Sequence, residues 1–228
     1  MMRAMRAVFV GGSSGIGLAA ARCAVAAGWD VVIASREPER AEIDAERVVL
    51  DISDEAAVRT TFAGLGPIDH LVFSPVARAS GPAKELDLAA ARRAFEVKLW
   101  GPFTAVQAAD VRSSIVFVSG VASATPMRGG SATAAVNGAI EALVRTLAVE
   151  LAPVRVNAVS PGIVATPTYD AMADDDRNAM FDRLAGALPV GRVGTADELG
   201  AAIWMLLTNG FVTGITLPVD GGHRLAGP

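Results

Sequence analysis

Short apolar runs alternate with amphipathic stretches from one end of the chain to the other. Runs rich in Val, Ile and Ala at 7–10, 30–34, 47–50, 68–73, 114–118, 154–159 and 215–219 predict seven strands. Between them, 15–27, 54–65, 87–109, 131–151 and 196–207 have the character of helices. Pro102 falls inside the stretch 87–109, where its missing N–H and its ring predict a kink or a junction. Short Val- and Ile-rich strands separated by longer helices mean a parallel sheet covered on both faces. The expected fold is therefore α/β and doubly wound, with a seven-stranded parallel sheet. The sequence has no internal repeat and no linker, so a single domain over 1–228 is expected. The one long irregular stretch, 161–192, holds an acidic helical piece near 174–184. A loop of that length in a compact domain is usually functional, and residues 164–190 are expected to form a lid.

Composition sharpens this picture by exclusion. Apolar residues make up 52% of the 228, which predicts a packed globule rather than a disordered chain. The net charge of −4 is spread as interspersed acids and bases, without the basic patch of a nucleic-acid binder. No apolar run is expected to approach the roughly 20 residues of a membrane span. The first six residues are basic and lead directly into a strand without a cleavable apolar segment, which predicts a cytoplasmic protein. Cys23 stands alone, so no intrachain disulfide forms, and its expected role is that of a small buried residue. His70 and His223 are far apart and no Cys/His cluster exists, so no metal site is expected.

Candidate chemistry begins between the first strand and the first helix, at Gly11-Gly12-Ser13-Ser14-Gly15-Ile16-Gly17. Glycines allow a tight turn and close backbone approach, and the helix N-terminus offers free N–H groups to a pyrophosphate. The spacing of Gly11, Gly15 and Gly17 resembles the short-chain dehydrogenase/reductase family. Other segments carry the same resemblance: Asp51 after the third strand, Pro161-Gly162-Ile163-Val164-Ala165-Thr166-Pro167, Leu188-Pro189-Val190-Gly191-Arg192-Val193-Gly194, Val212-Thr213-Gly214 and Val219-Asp220-Gly221-Gly222. They follow in the family's order over nearly the whole chain.

The resemblance implies a Rossmann fold and a nicotinamide dinucleotide. Gly11, Ser13, Ser14, Gly15, Ile16 and Gly17 would bind its phosphates. Asp51 and Ile52 would meet the adenine, and Ser74 would flank the cofactor. Pro161, Gly162, Ile163 and Thr166 would hold the nicotinamide carboxamide and nearby phosphate. The residues after the second strand, Ser35 and Arg36, choose the cofactor. A carboxylate there would favour NAD, whereas a hydroxyl and a guanidinium suit a 2′-phosphate, so NADP(H) is expected. The alternative for Arg36 is a solvated surface charge.

The family's reaction centre is where the chain departs. Family members place a serine after the fifth strand, a Tyr-x-x-x-Lys pair on the next helix and an asparagine on the preceding long helix. Here the tyrosine position matches Thr133, the lysine position Asn137 and the serine position Gly120, with Ser119 and Ser123 as neighbours. The asparagine position, within Val97-Lys98-Leu99-Trp100-Gly101, matches Lys98. The family's Asn-Asn-Ala-Gly turn reads Phe73-Ser74-Pro75-Val76. Thr133 cannot replace a phenol directly, because an aliphatic hydroxyl is far less acidic. Lysine and asparagine have exchanged places, which predicts that Lys98 enters the same pocket from the opposite wall; the alternative is a lysine reaching solvent. Tyr169, in the lid, is expected to pack there or to reach the substrate.

Candidate catalytic residues are thus Lys98, Ser119, Thr133 and Asn137. The leading expectation is NADPH-dependent reduction of a small, mostly neutral carbonyl compound by an atypical active site. Two alternatives stand beside it: an inactive NADP-binding sensor or partner subunit, and a redox-neutral isomerase or cyclase. Val76, Ala122, Ser123, Pro126, Met127, Tyr169, Met172 and Met180 are candidate pocket residues, mostly apolar. The resemblance also implies a homodimer or homotetramer built through the helices at 87–109 and 131–151.

Overall fold

The computed structural model describes residues 4–170 and 172–226, so Met1 to Arg3 of the basic N-terminus lie outside the described residues. The strands are β1 (Arg6–Val10), β2 (Asp30–Ser35), β3 (Glu46–Val49), β4 (Ile68–Phe73), β5 (Val111–Val118), β6 (Arg155–Pro161), the short pair β7 (Val164–Ala165) and β8 (Gly194–Thr195), and β9 (Thr216–Val219). The helices are α1 (Gly15–Ala26), α2 (Glu55–Leu65), α3 (Leu88–Phe95), α4 (Gly101–Ala108), α5 (Ser131–Glu150), α6 (Asp174–Ala187) and α7 (Ala196–Thr208).

Seven strands form one sheet in the order β3-β2-β1-β4-β5-β6-β9, with every pair parallel. This is the expected doubly wound α/β architecture. All six residues of β4 are buried, as a central strand covered on both faces requires. On one face α1 and α7 pack through Ala20, Ala24, Leu199 and Ile203. On the other, α2, α4 and α5 contribute Val58, Phe62, Ala105, Val136, Ile140 and Val144. The strand order reverses between β1 and β4. Open α/β sheets bind ligands at such a switch point, beyond the carboxyl ends of the strands.

Three features differ from the sequence pattern. The stretch 87–109 is divided: a π-helical turn over Glu96–Trp100 separates α3 from α4, and Pro102 stands at the start of α4. There the proline ring needs no intrahelical N–H, so the junction falls just before it. The pairing of β7 with β8 adds a second, two-stranded sheet that ties the two ends of the irregular stretch together. Finally, α5 has the length and composition of a membrane-crossing helix, yet it serves as a core helix packed on the sheet. Its Val136, Ile140, Val144 and Leu147 recur at helical spacing and are buried on the sheet, while Ala132 is buried against Ala79 and Ala94.

Candidate active site

The glycine-rich turn leaves β1 and opens α1 at the switch point. Ser14 precedes α1 in extended conformation, and neither a capping side chain nor an acidic residue occupies its first turn. In α2, α3 and α7 that task falls to Asp54, Asp87 and Thr195. The α1 N–H groups therefore face the crevice without a side-chain acceptor, as an anion site needs. Ser74, following β4, closes the turn from the neighbouring strand: its Oγ donates toward Val10 O (3.3 Å) and Gly11 O (3.2 Å). Position 17 must be glycine here. An added methyl would overlap Ser74 Oγ and come within 2.7 Å of Gly11 O. Across the crevice, Thr166 lies 3.5 Å from where a side chain on Gly15 would begin.

Ser35 ends β2 and its Oγ is enclosed without a hydrogen-bond partner. A buried hydroxyl without a partner is costly, and a ribose or phosphate oxygen at the strand end would relieve it. Arg36 beside it is exposed. Asp51 accepts from Ser53 Oγ (2.6 Å) and Arg93 Nη2 (3.1 Å), and these hydrogen bonds hold its carboxyl below the usual value. Ile52 is buried next to it. The orphaned hydroxyl, the uncapped helix and the glycine turn together fit a dinucleotide lying along the strand ends.

The second group of residues lies beyond β5. Lys98 occupies the π-helical turn, a device that recurs at functional sites because one extra residue re-aims the side chain. Its Nζ donates to Asn137 Oδ1 (2.7 Å) and to Ser119 O (3.2 Å). Asn137, 2% exposed, donates in turn from Nδ2 to Gly120 O (3.3 Å). A side chain at position 120 would begin 2.8 Å from that Nδ2, so the glycine leaves the space the asparagine fills. Burial lowers the Lys98 ammonium to about 8. Among the described residues no carboxylate forms an ion pair with it.

Ser119 is buried, and its hydroxyl bonds Glu141 Oε1 (3.0 Å) and Val159 O (3.3 Å). The structure therefore brings Lys98, Ser119 and Asn137 into one hydrogen-bonded group. Thr133 stands one helical turn before Asn137, but its Oγ1 donates to Ala79 O (3.3 Å) and fastens the segment after β4 to α5. Tyr169 lies at the entry to the irregular stretch, its ring edge-on to Phe181 (5.4 Å) and beneath the Arg78 guanidinium (4.7 Å). Burial pushes its phenol up, which suits a packing role better than proton exchange near neutrality. Glu141 was not singled out by sequence reasoning. Its signal is the four-residue spacing from Asn137, which places both on one helix face. A cavity of about 450 Å³ is lined by Ile163, Pro189, Val190, Leu199 and Asp220 among others, but not by Lys98, Ser119 or Asn137.

Comparison with known proteins agrees with this architecture. The family profile described as enoyl-(acyl carrier protein) reductase matches residues 10–224. The chain is 33% identical to L-xylulose reductase of Bos taurus over 238 residues, 95% of each chain. It is 34% identical to cis-4-hydroxycyclohexanecarboxylate dehydrogenase of Sinomonas cyclohexanicum over 241 residues, again 95% of each. It superimposes on a small-chain dehydrogenase in complex with NADPH with a TM-score of 0.90 and 36% identity, covering 98% of this chain and 100% of the other. On the strand order, the glycine turn and these matches, the chain belongs to the short-chain dehydrogenase/reductase family of oxidoreductases.

Proposed function

We propose that the chain is an NADP(H)-dependent reductase of small, mostly neutral carbonyl compounds, with a reaction centre rebuilt around Lys98. The bound cofactor supplies the hydride. Ser35 and Arg36 would receive its 2′-phosphate, the α1 N-terminus its pyrophosphate, and Pro161, Gly162, Ile163 and Thr166 its nicotinamide end. A small-chain dehydrogenase of the same architecture is known in complex with NADPH, which supports this choice.

The observation that carries the reading is the interlocked set Lys98, Asn137 and Gly120. Loss of the family's residues one at a time would leave gaps or unpaired polar atoms. Here the asparagine amide fills the space above Gly120 and its carbonyl receives the lysine ammonium. A partly buried cation beyond the strand ends can stabilise negative charge as it develops on a substrate oxygen, and it is worth more there than in water. Lys98→Met should lower kcat for NADPH oxidation by about 10²–10³-fold while NADPH affinity stays within about threefold. Because the ammonium titrates at about 8, wild-type kcat should fall as pH rises through that value. Unchanged kcat in Lys98→Met would overturn the assignment.

Thr133 favours a second reading, an inactive NADP-binding protein, because its hydroxyl is committed to Ala79 O and no phenol stands in its place. Tight NADPH binding without oxidation across a panel of neutral ketoses and cyclic ketones would select it. Self-association through the two long helical segments is supported by exposed Leu88, Trp100 and Val149. A monomer in sedimentation would contradict it.

A further inference from the structure

In the sheet, β5 lies between β4 and β6. The segment leaving β4 and the segment leaving β6 meet across the carboxyl end of β5, where the Arg78 guanidinium rests 4.7 Å from the centroid of the Tyr169 ring. Each partner is one turn from a residue of the candidate site. Tyr169 ends a 3₁₀ turn in which its N–H donates to Thr166 O (3.1 Å), and Thr166 faces Gly15 of the glycine turn. Arg78 precedes Ala79, whose carbonyl accepts from Thr133 Oγ1 (3.3 Å). Thr133 in turn stands one helical turn before Asn137, which holds Lys98. The contact thus joins the cofactor wall of the crevice to the Lys98 wall.

The two sides differ in how firmly they are held. The arm that carries Arg78 is fixed: Ala79 is buried against Ala94 and Ala132, and the Gly81 N–H donates to Gly129 O (3.0 Å) just before α5. The lid side is not, since none of the 14 residues of α6 is buried. Phe181 of that helix meets the Tyr169 ring edge-on at 5.4 Å, so the ring lies between the helix and the fixed arm. Among the described residues no carboxylate pairs with Arg78, and the ring is the group its cation meets. A guanidinium is drawn to an aromatic face by the ring quadrupole while its N–H groups stay in water.

We propose that Arg78 and Tyr169 form the roof of the substrate pocket and set the size of carbonyl compound it accepts, an inference that rests on the reductase reading. Neighbouring strands are about 4.8 Å apart, so the opening between the ends of β4 and β6 is about 10 Å wide. Held under the guanidinium, the Tyr169 ring closes that opening from above. The space left beneath it suits a ketone built on one six-membered ring, whereas a fused bicycle has to lift the roof. Tyr169 supplies the ceiling. Arg78 is a positioning residue that keeps the ring there, and neither exchanges a proton with the substrate.

The test uses the full chain and compares kcat/KM for cyclohexanone with that for the bulkier bicyclic ketone 2-decalone. Tyr169→Leu should lower the cyclohexanone-to-decalone ratio about tenfold, because both ring contacts are lost. Arg78→Gln should lower it about two- to fivefold, the strength of an exposed cation–π contact. Arg78→Lys, which keeps a cation, and Tyr169→Phe, which keeps the ring, should each restore part of the wild-type ratio. A variant that merely folds less well loses both activities together and leaves the ratio alone. A second readout needs no turnover. Tyr169 is the only tyrosine of the chain, so a ring ¹³C label reports on it alone. Its signal should shift in Arg78→Gln and, in the NADP⁺-bound wild type, on addition of cyclohexanone. An unchanged ratio in Tyr169→Leu, or a ring signal indifferent to Arg78→Gln and to the ketone, overturns the roof. Failure of the wild type to oxidise NADPH with either ketone overturns the reductase reading instead, and the ring signal then decides whether Arg78 and Tyr169 cover a ketone site.

Discussion

The glycine turn at the carboxyl end of β1 and the polar group beyond β5 solve different problems with different parts of the chain. The turn is made of backbone. Its hydrogen-bonding groups are peptide N–H groups, and its side chains mostly have to be absent, as at Gly17 beneath Ser74. The group beyond β5 is made of side chains, in which Lys98 meets Asn137 and Asn137 fills the space above Gly120. A backbone site tolerates little change, because one methyl blocks it. A side-chain network can be rewritten, provided that size and hydrogen bonding are exchanged together.

The sharpest way to test that contrast is Gly17→Ala. The methyl collides with Ser74 Oγ and Gly11 O, so NADPH affinity should fall by about 100-fold or more and the melting temperature should drop, as overpacking costs about 1–3 kcal/mol. Equilibrium dialysis and thermal unfolding read both effects. Retained affinity would mean that the turn is not the phosphate site.

His70 offers a comparison outside both regions. It is buried on β4, stacked on Trp29 at 4.4 Å, with Nδ1 2.9 Å from Ser114 Oγ and no partner on Nε2. Burial lowers its imidazolium to about 4, against 6.5 in an unfolded chain. Between those values the unfolded chain binds the proton and the folded one does not. Stability from this group is therefore fully present above 6.5 and is lost as pH falls toward 4. Urea unfolding should show the wild type losing about 3 kcal/mol more than His70→Asn between pH 7 and pH 4. Equal losses would contradict the burial argument.

Gly120→Ala tests the other region. Its φ of 161° is extended backbone open to any residue, so the cost is steric alone, from a methyl 2.8 Å from Asn137 Nδ2. The expected destabilisation is about 1–2 kcal/mol, with loss of the Lys98 pH dependence as the asparagine moves. The smallest expected effect is at Arg36→Glu, where NADPH affinity should fall by about 10–30-fold with little change for NADH, since for an exposed side chain a charged hydrogen bond contributes at the low end of about 1.5–3 kcal/mol. Equal effects on both cofactors would return Arg36 to the role of a surface charge.

Much of the fold was legible in the chain. The seven strands and their helices were visible because buried parallel strands are short Val- and Ile-rich runs between longer periodic stretches. The division of 87–109 was visible only as Pro102, since nothing local marks a π-helical turn four residues earlier. The pairing of β7 with β8 was hidden, because two residues are too few to show alternation. At the candidate reaction centre the sequence displayed Lys98 and Asn137 but not their bond, which joins residues 39 apart in sequence. Glu141 was illegible for a similar reason: its partners, Ser119 and Ser123, reach it only after α5 folds back over the end of β5.

The central claim is that Lys98 is the cation of a working reaction centre. The chain contains two lysines, Lys84 and Lys98, so selectively ¹³C-labelled lysine gives a two-signal spectrum. A pH titration with and without saturating NADPH reads Lys98 directly. The account predicts a Lys98 signal titrating at about 8, well below the ordinary lysine value of 10.5, and shifted by NADPH. A Lys98 signal that titrates at the ordinary lysine value of 10.5 and ignores the cofactor would contradict it.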